Sequence, residues 1–97
     1  MVTLVISDID KNIGPGDIVG AFINEAGTAS DDIGKINIDK RNKRAEVAVK
    51  WETAPQIIDA MDNNQIGGVQ VQVSAKNPDD LIDKDIINYY NKFRNLV

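Results

Sequence analysis

Six basic side chains fall between positions 35 and 50: Lys35, Lys40, Arg41, Lys43, Arg44 and Lys50, against only Asp39 and Glu46. Ammonium and guanidinium groups gathered in one stretch are what contact with a polyanion needs, because each phosphate neutralised releases condensed counterions. The window carries +4 on a chain of net charge −4, so the remaining residues sum to −8. A basic stretch on an acidic body is therefore the first candidate site. The same charges also suit a plainer task, since Lys on a sheet edge discourages strand-to-strand association. Trp51 follows directly. Its indole is either a boundary residue of the core or a stacking platform beside the cations.

Other chemistry is poorly supplied. The chain has no His and no Cys, which removes the usual zinc ligands and the nucleophile–imidazole pair. The acidic pairs Asp8/Asp10, Asp31/Asp32 and Asp79/Asp80 sit in turn or cap contexts, where Asp serves the backbone, and none has the spacing of a calcium loop. Gly14-Pro15-Gly16 precedes a helix, but no Gly-Lys-Ser/Thr follows to cradle a phosphate. No cofactor, no metal and no catalytic residue are expected. No apolar run approaches the roughly 20 residues that span a bilayer, and Met1 runs straight into an apolar stretch without a signal-peptide pattern. The expectation is a cytoplasmic protein with no membrane partner.

The elements that would position the cations follow from periodicity. Val2 to Ile6 is rich in β-branched residues and reads as a strand. Gly14-Pro15-Gly16-Asp17 opens a helix, with Pro15 in the first turn and Asp17 at the positive end of the dipole. Ile18, Val19, Phe22, Ile23 and Ala26 share one face of it, and Gly27 is its left-handed stop. Ile33–Asp39 alternates as a half-buried strand. Lys40-Arg41-Asn42-Lys43 turns the chain into a second strand with Ala45, Val47 and Val49 on one side. Thr53-Ala54-Pro55-Gln56 has capping-box spacing before a helix whose core face is Ile57, Ile58 and Met61. Val69, Val71 and Val73 alternate with Gln70, Gln72 and Ser74 as a fourth strand. Asn77-Pro78-Asp79-Asp80 caps a third helix bearing Ile82, Ile86, Tyr89, Tyr90 and Phe93.

The order is β-α-β-β-α-β plus a C-terminal helix, an α+β arrangement. Two right-handed βαβ units place both helices on one face of a four-stranded antiparallel sheet. The length fits one domain, with residues 1–76 as its body and 77–97 as an amphipathic helix packed on it or on a partner. The other face of the sheet is expected to present Lys35, Asn37, Arg44, Glu46, Lys50, Gln70, Gln72 and Ser74, without an aromatic.

The run Ile13-Gly14-Pro15-Gly16-Asp17-Ile18-Val19-Gly20-Ala21, then Asn24-Glu25-Ala26-Gly27 and Asp32-Ile33-Gly34-Lys35-Ile36-Asn37-Ile38, resembles the C-terminal RNA-binding domain of DbpA-type DEAD-box RNA helicases. Glu46-Val47 and Ile66 through Gly68 to Val73 continue the match, which covers roughly residues 2–76. The resemblance implies an RRM-like, ferredoxin-type fold. It also implies a bacterial, cytoplasmic setting and an accessory domain that binds structured RNA, ribosomal RNA among the candidates, while a helicase core elsewhere supplies the ATPase. The chain departs from the family at the ligand surface. Asp8-Ile9-Asp10-Lys11-Asn12 stands where the family often carries several basic residues, and Gly67, Val69, Gln70 and Gln72 stand where it is typically basic. Arg44 replaces a usual aromatic.

RRM domains usually stack bases on sheet aromatics, so recognition here is expected to be shape-dependent and phosphate-based. The expected RNA-binding residues are Lys35, Lys40, Arg41, Lys43, Arg44, Lys50 and Trp51, on a basic β-hairpin. Lys11 and Lys76 are weaker candidates, and Arg44 could lay its guanidinium plane on a base. Tyr89, Tyr90 and Phe93 are the expected partner-binding residues, on a helix that packs on its own domain, blocks the open sheet face or mediates self-association. The alternative is a protein–protein interaction module on an RRM-like fold with little RNA affinity, since fold does not fix function.

Overall fold

The computed structural model describes residues 1–81. Strand β1 (Val2–Ser7) buries Val2, Leu4 and Ile6 on one side and half-exposes Thr3, Val5 and Ser7 on the other, the two-residue period of a sheet with one covered face. Helix α1 (Pro15–Ala26) starts from an extended Gly14 with Pro15 in its first turn. The Asp17 carboxylate accepts the Gly14 N–H at 2.8 Å, so the acidic residue satisfies a terminal donor as well as meeting the dipole. The helix stops at Gly27, whose φ of 67° is left-handed, and the Thr28 N–H closes back onto the Phe22 carbonyl at 3.2 Å. Ile18, Phe22 and Ala26 form its buried stripe, whereas Ile23, expected on that stripe, is 38% exposed.

Strands β2 (Ile33–Asp39) and β3 (Arg44–Val49) form the expected hairpin. Helix α2 (Ala54–Met61) buries Ile57 and Met61. Two-residue strands β4 (Gln65–Ile66) and β5 (Val69–Gln70) pair with each other, and β6 (Gln72–Ala75) joins the main sheet. The main sheet runs β2-β3-β1-β6, and every pairing in it is antiparallel. Leu4 and Ile6 of β1, Val47 and Val49 of β3, and Val73 of β6 share one core with Ile18 and Phe22 of α1 and Ile57 and Met61 of α2. Both helices thus cover one sheet face.

The fourth strand does not run unbroken from Val69 to Val73. Gly67 (φ 62°) and Gly68 (φ 81°) make a two-residue hairpin turn of the kind that needs positive φ at both positions, and this folds Val69–Gln70 back on Gln65–Ile66. Val71 stays in that ribbon: its N–H donates to Asn64 O at 2.8 Å, and its carbonyl accepts the Asn63 N–H at 2.9 Å. The chain enters the main sheet at Gln72, and Asp62 accepts the N–H of the next residue, Val73, at 2.9 Å. Gln70 therefore sits on the small ribbon rather than on the open face of the main sheet.

The capping box before α2 is also replaced. Thr53 lies in helical geometry at the end of a 3-10 turn, Trp51–Thr53, and makes no side-chain cap bond. Its hydroxyl instead donates to the Asp32 carboxylate at 3.4 Å, while the Gln56 amide donates to the Ala26 carbonyl at the end of α1. Polar groups that would have closed α2 on itself tie it to its neighbours. After β6, Pro78–Leu81 form a 3-10 turn in which Asn77 accepts the Asp79 N–H. The expected C-terminal helix, with Tyr89, Tyr90 and Phe93, lies outside the described residues.

Candidate nucleic-acid interface

The β2–β3 turn is built by its own polar residues. Asp39 accepts the Asn42 N–H at 3.2 Å and the Asn42 side-chain amide at 2.7 Å, the side-chain-to-backbone closure that favours Asp and Asn in turns. Those two bonds, the side-chain one first, hold the Asp39 carboxyl below its ordinary range, with Arg44 adding a smaller pull. Lys43 takes a left-handed conformation, φ 54°, and its carbonyl accepts the Ile9 N–H at 3.1 Å. Ile9 is buried in the core. The basic tip is thereby pinned to the loop that follows β1, and Lys40, Arg41 and Lys43 stand exposed on it.

The six expected cations do not form one patch. Lys40, Arg41 and Lys43 cluster at the tip. Lys50 and Trp51 lie past the other end of β3, about 20 Å away for a six-residue strand. Lys50 is held by Asp32 at 3.2 Å, and Trp51 is 36% exposed, a boundary position beside that pair. Lys35 is exposed at the irregularity in β2 between Ile33 and Ile36. Among the described residues, Lys35, Lys40, Arg41 and Lys43 make no ion pair, and neither does Lys11.

The register places Thr3, Val5 and Ser7 of β1, Asn37 and Asp39 of β2, Arg44, Glu46 and Ala48 of β3, and Gln72 and Ser74 of β6 on the face away from the helices. Among the described residues no aromatic stands there, as the alternation implied, so the strands offer hydrogen-bonding and charged groups rather than a stacking surface. At its centre one oxygen of Glu46, Oε1, receives Arg44 Nη2 at 3.3 Å and Lys76 Nζ at 2.9 Å. A shallow depression of about 760 Å³ opens beside them, lined by Asn37, Asp39, Asn42, Arg44, Glu46 and Lys76 among others. A smaller hollow of about 270 Å³ lies between the tip and the loop after β1, lined by Asp8, Asp10, Lys11 and Lys43 among others.

Sequence patterning underrated two of these residues. Lys76 looked like a lone charge beside acidic neighbours, and Glu46 like a gap in a basic run. Their pairing arises from strand order and register, since β1 lies between β3, which carries Glu46, and β6, which Lys76 directly follows. No local spacing signals it. In the small ribbon the signal was present: two glycines between Ile66 and Val69 mark a hairpin.

Among the described residues no helix is long and apolar enough to cross a membrane, and no cluster of acidic or metal-binding side chains has the grouping of a cation site. The family model described as the DbpA RNA binding domain matches residues 10–75. Among curated proteins, none matches the chain.

Proposed function

The chain belongs to the DbpA RNA binding domain family, and from that membership we propose that it is a non-enzymatic accessory domain that grips structured RNA by its phosphates through the β2–β3 tip. The observation that carries this reading is the tip itself: Lys40, Arg41 and Lys43 are exposed, free of ion pairs among the described residues, and fixed in place by Asp39, Asn42 and the Ile9–Lys43 bond. Cations pre-positioned on a rigid turn match a duplex or hairpin backbone better than a flexible strand, because less order is lost on binding. Lys35 and Arg44 extend the contact along the hairpin. Lys50 and Trp51 contribute least, since Asp32 already holds Lys50 and both lie at the far end of β3.

The architecture fits an RRM-like, ferredoxin-type domain, with residues 1–76 as the RNA-binding body and 77–97 as an appended segment. The family further supports a place beside a DEAD-box helicase core, which would supply the ATPase and use this domain as its RNA tether. A labelled RNA hairpin and an unstructured strand of the same length, competed for the protein, test the reading. Preference for the hairpin supports it, and equal or no binding of the two contradicts it.

A second reading has its own observation. The centre of the open face is occupied by the Glu46 carboxylate, which repels phosphate and suits a protein partner with basic groups. No retention of the hairpin RNA even at low salt would favour that reading.

A further inference from the structure

Strand β2 is an outer strand of the main sheet, bonded to β3 on one side and to none of the described residues on the other. Alternate residues of such a strand turn their N–H and C=O groups away from its single neighbour, so Ile33–Asp39 leaves a row of unpaired donors and acceptors. The side chains along this edge are incompletely covered as well. Ile33, Ile36 and Ile38 pack against the core yet remain only partly buried, because no further strand flanks them. An irregularity interrupts β2 between Ile33 and Ile36, but Ile36–Asp39 pairs with β3 without a break and presents a regular edge.

The residues of this edge are complementary to themselves. When two copies pair antiparallel about a two-fold axis at Asn37, Asn37 faces its own copy, Ile36 faces Ile38, and Lys35 faces Asp39. Apolar meets apolar on the helix side of the sheet, and opposite charges meet on the open side, once at each end. Neither Lys35 nor Asp39 makes an ion pair among the described residues. A slip that keeps the faces matched loses this fit, since it sets Ile36 against Lys40 in one direction and Lys35 against Asn37 in the other. The flanks agree: exposed Asp31 precedes the strand, and exposed Lys40 and Arg41 follow it. Antiparallel pairing sets acid beside base there, whereas parallel pairing sets like beside like. A Lys on an edge ordinarily blocks such pairing, but here a carboxylate of the second copy answers it. We propose that the free edge of β2 is a self-association surface, at which two copies join about Asn37 into one continuous sheet. The helices of both copies lie on one side of that sheet, and the two basic tips point to opposite ends. The paired stretch Lys35–Asp39 is short, so the contact falls below the roughly 1,200 Å² of a stable interface, and its dissociation constant is on the order of 0.1 mM.

Sedimentation equilibrium of the chain without RNA, from about 10 μM to about 1 mM, brackets that constant and tests the proposal. The weight-average mass should climb toward twice the monomer value across the range. Lys35→Glu sets like charges against each other at both ends of the pairing. It should keep the protein monomeric at the highest concentration and leave its urea midpoint nearly unchanged. The chain has no Cys, so Asn37→Cys introduces a single thiol at the two-fold axis, where directly opposed residues lie within disulfide reach. Under mild oxidation it should form the covalent dimer about tenfold faster than Gln72→Cys, whose thiol would stand exposed on the opposite edge strand. A chain that stays monomeric to the highest concentration overturns the edge pairing. So does a dimer that Lys35→Glu leaves intact, or equal cross-linking of the two thiol variants. RNA takes no part in these measurements, so each outcome leaves the tip reading untouched.

Discussion

Asp39 shows how a residue that weakens the local positive charge can still serve it. Its carboxylate closes the tip by accepting both Asn42 donors, and those bonds favour the ionised form. A carboxyl whose folded pKa is lowered contributes above the ordinary aspartate value, about 3.9, and the contribution is lost as pH falls through the lower folded value. An NMR titration of the Asp39 carboxyl carbon should give a midpoint below the ordinary value, and Asn42→Ala should return it toward that value. Equal midpoints in the two proteins would remove Asn42 as the cause. Gln56 is a second single-residue device, its amide bonded to the carbonyl at the end of α1. Gln56→Ala should lower unfolding free energy by about 1 kcal/mol, the net worth of an ordinary hydrogen bond, read from the urea midpoint at constant m. An unchanged midpoint would mean water replaces the amide at no cost.

Helix α1 was legible in the sequence because its signals are local: Pro15 and Asp17 at one end, Gly27 at the other, and Ile18, Phe22 and Ala26 at helical spacing between them. The β2–β3 hairpin was legible for the same reason, from alternation on both sides of a polar tip. The β4–β5 ribbon was not separated from β6, because Val69, Val71 and Val73 keep one alternating pattern across the change of partner. The pattern is right that Val71 and Val73 point inward, wrong for Val69, which stands exposed on the ribbon, and silent about which strand each residue pairs with. Asp62, Asn63 and Asn64, read as a helix end, turn out to hold the ribbon as well. The two-glycine turn gives a clean test. Gly67→Val should cost about 1–2 kcal/mol, the penalty of a side chain at left-handed φ, whereas Gly67→Asn, a residue that tolerates this conformation, should cost much less. Equal midpoints in urea for the two variants would mean that the turn does not hold its positive φ in solution.

Across the whole molecule, one small core and one uneven charge distribution explain the division of labour. Phe22 is fully buried between the helices and the sheet, and Phe22→Ala should remove about 3–5 kcal/mol, a large share of the stability of a domain this size. An exposed tip substitution such as Lys40→Ala should leave the urea midpoint nearly unchanged, so binding and folding can be perturbed separately. The basic stretch was readable from charge distribution, and the absence of strand aromatics on the open face from alternation. The division into a free tip, a Glu46-centred face and an Asp32-held far end was not, because ion pairs between strands depend on register and on which strands are neighbours. The central claim is that the tip contacts phosphates, and the salt dependence of hairpin-RNA binding tests it most directly. Each phosphate contact adds close to one unit to the slope of log affinity against log salt concentration. Replacing Lys40, Arg41 and Lys43 together with Ala should flatten that slope by about two to three units and weaken binding; an unchanged slope, with affinity intact, would contradict the account.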